Sequence, residues 1–579
     1  MKYEQLIDAA FKRLGFAPRQ GQKDAVNQIL EAYLDEGMQN VVLNASTGAG
    51  KSIIGTVVAE CLTANKGIAD DGIKSSISLT ATNVLAKQYH DTYEKLEGRK
   101  FIMIKGANNY PCSALSQNGE EETADACAWF TMMQAQSEFG DVLNRHCNKC
   151  EYIDTKKRRN TIRHLTTNYS FYFVDRMYTG KFEDRDLVIW DEAHLVNDLF
   201  SEHNAIYFSE KRVQQMIMEI TDTITVSDIS IAKKLRQIGI DCGVPDKINK
   251  TNYQAYLRAL QEIYSYVKEQ GEEMAERSLR QNNMKAYTRY FRFAKKYEGL
   301  SCKIDDFFNY EYDHVFEYKE EEKACSVKPV FVGSMFDALQ ASPRNLFMSA
   351  TVSGPFMIKT MNLNPQQTKF IKLPPFFPKE NKEIVCFDPL SLSYQSLQNP
   401  ETVQKLRKNA AKIVAHHMEK KDRGIILAPS FKLQNEIISE LQPLIRKGAL
   451  KLFEHKQGEK LEQIVAQFKA YKGTNAVLIS PAMFEGIDLP GDLSRFQILI
   501  KAPFPSLGDK RMKYILDHHP DLYNAITIMK IVQGAGRSVR SPEDHAVTYI
   551  LDQNAQRLFT GNHNVWKDEF VTRFTSFLE

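Results

Sequence analysis

The chain has 579 residues and a mass of 66.3 kDa, with 43% hydrophobic and 25% charged residues, 29 Gly and 20 Pro. At ~100–200 residues per domain this is chain enough for roughly three to five domains, so a single small binding module is excluded, as are collagen-like and wholly disordered classes. Net charge is only +3, and any nucleic-acid contact must therefore come from local basic surface.

No stretch approaches the ~20 apolar residues of a membrane span, and the opening MKYEQLIDAA lacks the apolar core of a signal peptide. These features predict a soluble intracellular protein without a membrane partner, cytoplasmic in a bacterial or viral setting. Nine cysteines, an odd number spread over a long chain, argue against a secreted disulfide framework and for reduced thiols or a metal site.

Residues 41–52 read VVLNASTGAGKS and lead into SIIGTVVAECL, the pattern of strand, Gly-containing loop and helix. Thr47, Gly48, Ala49 and Gly50 supply backbone N–H groups for a polyphosphate at a helix N-terminus, Lys51 reaches the β- and γ-phosphates, and Ser52 holds Mg²⁺. The general pattern places Gly at position 45, where this chain has Ala45. Read alone, the segment also fits a turn before a core helix.

About a hundred residues separate this region's second strand-and-helix pattern, LTATNVLAKQ at 79–88, from the next strong strand signal. Within them stand Cys112, Cys127, Cys147 and Cys150, with gaps of 14, 19 and two residues. The final Cys-x-x-Cys pair can bind one centre, and four thiolates complete either tetrahedral zinc or an iron–sulfur cluster. Buried structural cysteines are the alternative.

The apolar run DLVIW at 186–190 ends in Asp191, Glu192, Ala193 and His194. Open α/β sheets bind ligands at such strand ends. Asp191 can hold Mg²⁺ through water and Glu192 can orient and deprotonate the attacking water, although Asp and Glu also serve as ordinary helix starts. From about 205 to 325 the text turns to long polar helical patterns. RSLRQNNMKAYTRYFRFAKKY at 277–297 interleaves Arg289 and Arg292 with Tyr290, Phe291 and Phe293. Cations and aromatic faces suit single-strand binding; an amphipathic helix with its aromatics inside fits the same spacing.

ASTGAGKS at 45–52 with DEAH at 191–194 resembles the superfamily two helicases, and other motifs of that family follow in order. Arg19 and Gln22 in PRQGQ occupy the adenine-recognition position. LTATNVLAKQ, with Thr80 and Thr82, resembles the strand-tracking motif. MSATVSG at 348–354, with Ser349, Ala350 and Thr351, resembles the motif that couples hydrolysis to movement, in which His194 shares. ILAPSF at 426–431 contributes Ser430, ISPAMFEGIDLPG at 479–491 contributes Glu485, Gly486 and Asp488, and QGAGRSVRS at 533–541 contributes Gln533, Arg537 and Arg540. The resemblance implies that these last three face ATP across an interdomain cleft and that the arginines stabilise charge on the γ-phosphate, a contribution worth ~10³–10⁵ in rate.

KGANNYPC at 105–112, the four cysteines and TTNYSFYF at 166–173 narrow the resemblance to the XPD/Rad3 and DinG branch. That branch implies a 4Fe–4S cluster on Cys112, Cys127, Cys147 and Cys150. It also implies an α/β fold of two RecA-like parallel-sheet motor domains, the first carrying an iron–sulfur insertion and a mainly helical arch. The expected division is 1–104, 166–204 and 326–356 for motor domain 1, 105–165 for the cluster insertion, 205–325 for the arch and 357–579 for motor domain 2. With adenine recognition beginning by residue 19, no N-terminal exonuclease domain is expected.

The resemblance thus implies an ATP- and Mg²⁺-dependent DNA helicase, monomeric, moving 5′ to 3′ on single-stranded DNA and opening duplex junctions, DNA–RNA hybrids included. A translocase that remodels nucleic acid without unwinding, and a non-motor binding scaffold, are the alternatives. Intact Lys51, Asp191, Glu192, Gln533, Arg537 and Arg540 argue against the scaffold.

Overall fold

A computed structural model describes the chain except residues 1, 47, 65–74, 94–100, 114–115, 117–120, 128–146, 148, 180–183, 243–247, 282, 340–341, 376, 394, 482–488, 490, 537, 540–542, 562–569 and 579. The first half forms strands β1 (Asn40–Asn44), β2 (Ser76–Thr80), β3 (Phe101–Met103), β4 (His164–Asn168) and β5 (Leu187–Asp191), then β6 (Ile206–Ser209), β7 (His314–Lys319) and β8 (Ala324–Pro329), then β9 (Asn345–Ser349) and β10 (Thr368–Lys372). The second half adds β11 (Lys382–Leu390), β12 (Gly424–Leu427), β13 (Lys451–Glu454), β14 (Ala476–Ser480), β15 (Phe496–Leu499), β16 (Ala546–Asp552) and β17 (Val571–Thr575).

Two seven-stranded sheets result, in the orders β10-β1-β9-β5-β2-β4-β3 and β13-β14-β12-β15-β16-β11-β17. Every strand pair in both is parallel. Their central strands are apolar runs such as LVIWD and AVLIS, buried along their whole length, as helices on both faces require. On one face of the first sheet pack the helices Glu4–Leu14, Gln20–Leu34 and Lys51–Ala64, through Phe11, Ile29 and Val58. On the other face Trp190, Phe200, Phe336 and Phe347 form a core that also takes in Met512, Ile515, Ile526 and Met529 from the second domain. The two motor domains therefore share an apolar seam.

The expected boundary at 356 is corrected: β10 pairs in register with β1, Val42 opposite Phe370. Domain 1 therefore runs to Lys372, and the crossover falls between β10 and β11. A β-strand after the Gly354–Met361 helix carries no strand signal because TKFIK is short, mostly polar and partly exposed at the sheet edge, neither alternating nor a buried run.

Two antiparallel helices, Tyr253–Arg280 and Met284–Asn309, fill most of the second half of the stretch 205–325. They approach closely at Gly271, where a Cβ would meet Ala294 at 3.1 Å. The arch's base is not helical, however: β6, β8 and β7 make a three-stranded antiparallel sheet, so this insertion extends to Pro329. The cysteine-bearing insertion leaves the first sheet after β3 and returns at β4. Among the described residues no helix is long and apolar enough to cross a membrane.

Candidate active site

The phosphate loop follows β1, the DEAH segment follows β5 and the SAT segment follows β9. All three emerge at the C-terminal ends of strands that are adjacent in the sheet order β1-β9-β5, where parallel sheets place ligands. The Ala45 N–H donates to the Ser349 carbonyl at 3.0 Å, joining the loop to the SAT strand. Ala45 lies in the core and outside the left-handed region, so the usual glycine is dispensable there. Gly48 and Gly50 are not: their φ values are 83° and 76°, a conformation costly to L side chains. Among the described residues Ser46 Oγ, buried in the loop, has no hydrogen-bond partner, as suits a group that meets a ligand oxygen.

Arg19 Nη1 donates to the Gly48 carbonyl at 3.2 Å and Gln22 Nε2 to the Ala49 carbonyl at 3.0 Å. The adenine-recognition segment is therefore fastened to the loop itself. Lys51 and Ser52 occupy the first turn of the helix Lys51–Ala64, and Lys51 Nζ lies 3.5 Å from Glu192 Oε1. Asp191 is buried at the end of β5, with the Glu192 N–H on its Oδ1 at 3.1 Å. Burial and the neighbouring Glu192 raise its carboxyl to about 7, against the opposing pull of Lys51 and a hydrogen bond from Tyr89. Such a carboxylate fits a bound cation, whose charge reverses this balance. Glu192 itself has φ 52° and ψ 49°, a left-handed conformation for a non-glycine residue, with a cost of order 1 kcal/mol.

His194 is the junction of the cleft. Its Nδ1 lies 2.9 Å from Ser349 Oγ and 3.4 Å from Glu192 Oε2, and its Nε2 lies 2.7 Å from Gln533 Nε2. Gln533 also donates to Thr351 Oγ1 at 3.4 Å, and the Thr351 N–H reaches Ser349 Oγ at 3.3 Å. DEAH, SAT and the domain 2 helix Pro520–Ala535 are thus one hydrogen-bonded relay across the domain interface. Thr47, Glu485, Gly486, Asp488, Arg537 and Arg540 lie outside the described residues. Ala350 follows the last residue of β9.

The nucleic-acid candidates fare unevenly. Thr80 is fully buried with its hydroxyl on the Thr82 carbonyl, which removes it from any ligand. Thr82 is exposed and accepts from the Leu85 N–H; Ser430 is exposed and caps the helix Phe431–Arg446. Arg292 is corrected: its guanidinium holds Asp125 and Glu122 at 2.7 Å, clamping the arch to the cysteine-bearing insertion. Tyr287 and Phe293 point into the helical core, so the amphipathic reading of 277–297 holds for them. Arg289 remains exposed, with Tyr290 beneath it at 5.9 Å.

Cys112 and Cys147 are buried, Cys127 and Cys150 half-buried, and no disulfide joins them. Burial first, then the charges of Cys127, Cys150 and Cys112, push the Cys147 thiol up to about 12. Among the described residues no three His, Cys, Asp or Glu side chains form a closed metal site. Sequence reading missed Tyr89 and Tyr169, whose hydroxyl donates to the Asp191 carbonyl at 2.6 Å. The signal for Tyr169 lay in TTNYSFYF; Tyr89 had none.

A phosphate loop, an acidic strand end and a relay to a second parallel-sheet domain define a nucleotide-driven two-domain motor. Residues 15–226 match the family model described as type III restriction enzyme, res subunit, and residues 413–564 match the helicase C-terminal domain. The chain is similar to the ATP-dependent DNA helicase YoaA of Escherichia coli K12, 21% identical over 93% of this chain and 92% of that one. It is also similar to the ATP-dependent DNA helicase DinG of Photobacterium profundum, 26% identical over 32% of this chain and 27% of that one. A solved XPD helicase superposes with a TM-score of 0.60 at 13% identity, over 96% of this chain and all of that one. Xpd4 of S. tokodaii gives 0.56 at 13% identity, over 96% and 100%. The two domain matches, the YoaA and DinG relatives and the XPD-like fold together support an ATP-dependent helicase of the XPD/DinG type.

Proposed function

We propose that this helicase translocates 5′ to 3′ on single-stranded DNA and separates duplexes, DNA–RNA hybrids included, as a monomer in the cytoplasm. The observation that carries the motor reading is the relay His194–Gln533–Thr351–Ser349, because it makes the γ-phosphate end of the cleft sense domain 2. Lys51 holds the phosphates, Ser52 and Asp191 take Mg²⁺, and Glu192 accepts the proton of the attacking water. Arg537 and Arg540 stabilise the transferring phosphoryl group when the domains close, with Glu485, Gly486 and Asp488 lining the domain 2 wall. Thr82 and Ser430, at exposed helix starts of the two domains, bind phosphates of the tracked strand in this reading.

Cys112, Cys127, Cys147 and Cys150 hold a 4Fe–4S cluster in this reading. Four thiolates carried on one insertion are the ligand number that such a cluster requires. When bound, the cluster supplies a covalent staple for the insertion and a redox-active centre. Arg292 then transmits the insertion's position to the arch.

Single-turnover unwinding of 5′-tailed, 3′-tailed and blunt duplexes, with ATPase measured alongside, tests the proposal. Opening of 5′-tailed DNA is expected. Opening of 3′-tailed substrate alone refutes the polarity, and DNA-stimulated ATPase without strand separation favours a translocase.

A further inference from the structure

The apolar seam between the two motor domains is not filled throughout. Beside the relay it holds a cavity of about 240 Å³, walled from both sides. Domain 1 supplies Leu199 from the helix Val196–Asn204 and Phe356 from the helix Gly354–Met361; domain 2 supplies Ile515, Leu522, Ile526 and Met529. On the helix Pro520–Ala535 the lining positions 522, 526, 529, 530 and 533 fall on one face. His194 and Gln533 form part of the wall, so the space adjoins the interdomain hydrogen bond itself, and among the described residues none of the phosphate loop borders it. The polar groups around the cavity are largely committed. Asp198 pairs with Arg511 and Glu202 with Lys328, each at 2.8 Å. Asn197 accepts from the Val332 N–H, and the Thr360 hydroxyl donates to the Phe356 carbonyl. Lys530, half-buried, is the one charged side chain of the wall that meets no carboxylate among the described residues.

We propose that this cavity is a regulatory site for a small aryl or acyl carboxylate, which seats its apolar body between the helices of the two domains and its carboxylate on Lys530. An apolar wall with a single uncompensated ammonium group selects an apolar body that carries one negative charge. The volume lies between the ~150 Å³ that takes benzene and the ~300 Å³ of the smaller ligand pockets, which is room for a fused-ring aryl group or a short acyl chain. Such an occupant touches both domains and stabilises the arrangement in which the cavity exists. It therefore opposes the domain movement that each round of hydrolysis requires, without entering the nucleotide cleft. Binding stands on the cavity alone, and its effect on turnover rests on the motor reading.

The test uses the full chain, with 2-naphthoate and decanoate as the aryl and acyl probes and with 2-naphthylmethanol and 2-naphthylmethylamine as neutral and cationic controls. Binding is measured by isothermal titration calorimetry, and DNA-stimulated ATPase is followed across ATP concentrations with and without probe. A carboxylate probe is expected to bind one site per chain with a Kd of about 1 mM or tighter, and the tighter of the two identifies the preferred body. Lys530→Met keeps an apolar stem and loses the charge; it should weaken that probe about tenfold. The bound probe should lower kcat and leave the KM for ATP unchanged. No carboxylate binding at ~5 mM, equal affinity in Lys530→Met, or a cationic control that binds as well as the anion overturns the site. Inhibition that ATP relieves puts the probe in the nucleotide cleft and overturns it too, and a saturating probe that leaves turnover untouched overturns the regulatory role. A parent protein without DNA-stimulated ATPase refutes the helicase reading instead, and the calorimetry still decides the cavity.

Discussion

The Gln533 side-chain amide stands 2.7 Å from Nε2 of His194 and so ties the helix Pro520–Ala535 of domain 2 to the DEAH segment of domain 1. With the amide N–H as donor, His194 Nε2 accepts. Its proton then sits on Nδ1, which faces Ser349 Oγ at 2.9 Å and the Glu192 carboxylate at 3.4 Å. Replacing Gln533 by Ala removes the contact to domain 2 and leaves the phosphate loop intact. DNA-stimulated ATPase is expected to fall about tenfold, the worth of one such hydrogen bond, with equilibrium ATP affinity within about twofold. Losses in Gln533→Ala and His194→Ala should be strongly non-additive; additive losses in the double variant contradict a shared relay.

Lys51→Ala should abolish hydrolysis by removing a phosphate contact, whereas Glu192→Gln should bind ATP and fail to turn it over. Glu192 also stores backbone strain at φ 52°. Glu192→Gly is therefore expected to be inactive yet at least as thermostable as the parent, since glycine adopts that conformation freely. Normal steady-state turnover by Glu192→Gln would sink its assignment as base.

Anaerobically purified protein should contain about four iron and four sulfide per chain, with visible absorption that fades on oxidation. Ser at position 112, 127, 147 or 150 should impair unwinding more than basal ATPase, because the nucleotide cleft is built from other segments. Replacement of Cys242 or Cys386, buried in the arch core and under the second sheet, should leave iron content unchanged. Zinc in place of iron refutes the cluster.

Arg292 and Arg289 should separate structure from binding. Arg292→Ala breaks the contacts to Asp125 and Glu122, and hydrogen exchange should rise in the helix Met284–Asn309 and around residues 122–127. The pair is partly exposed, so the stability change should stay near ~1 kcal/mol or below. Arg289→Ala should leave exchange unaltered and lower single-strand affinity, with a salt slope reduced by about 0.7 if one phosphate contact is lost. An unchanged salt slope removes Arg289 from the DNA path.

His203 is half-buried beside Tyr178, and desolvation together with Lys303 pushes it down to about 4. The unfolded chain takes up a proton near 6.5 and the folded one does not until about 4, so stability falls as pH drops through that window and is full above it. Denaturant midpoints measured between pH 7.5 and 4 should decline less steeply in His203→Gln. An identical pH slope in the two proteins assigns the effect to other groups.

The sequence by itself determined the chemistry: the motifs that carry phosphate, cation and relay groups are local strings, and the runs around β1, β5 and β14 are long enough and apolar enough to declare buried parallel strands. Lys51, Asp191, Glu192 and His194 are legible for that reason. Only the tertiary structure decided which side chains those groups meet. Helical spacing gives Arg292 the same signature as Arg289, and whether a carboxylate from another insertion waits opposite is a matter of packing. Thr80 looks like a tracking residue until β2 takes its place deep in the sheet. The crossover was misplaced because β10 is an edge strand whose partner, β1, lies more than 300 residues earlier. Phe377 carries no motif at all: its contact with Gly48 exists because two domains fold onto the same loop. Such long-range juxtapositions leave no periodic trace in the chain, since they depend on which surfaces bury one another rather than on any local pattern.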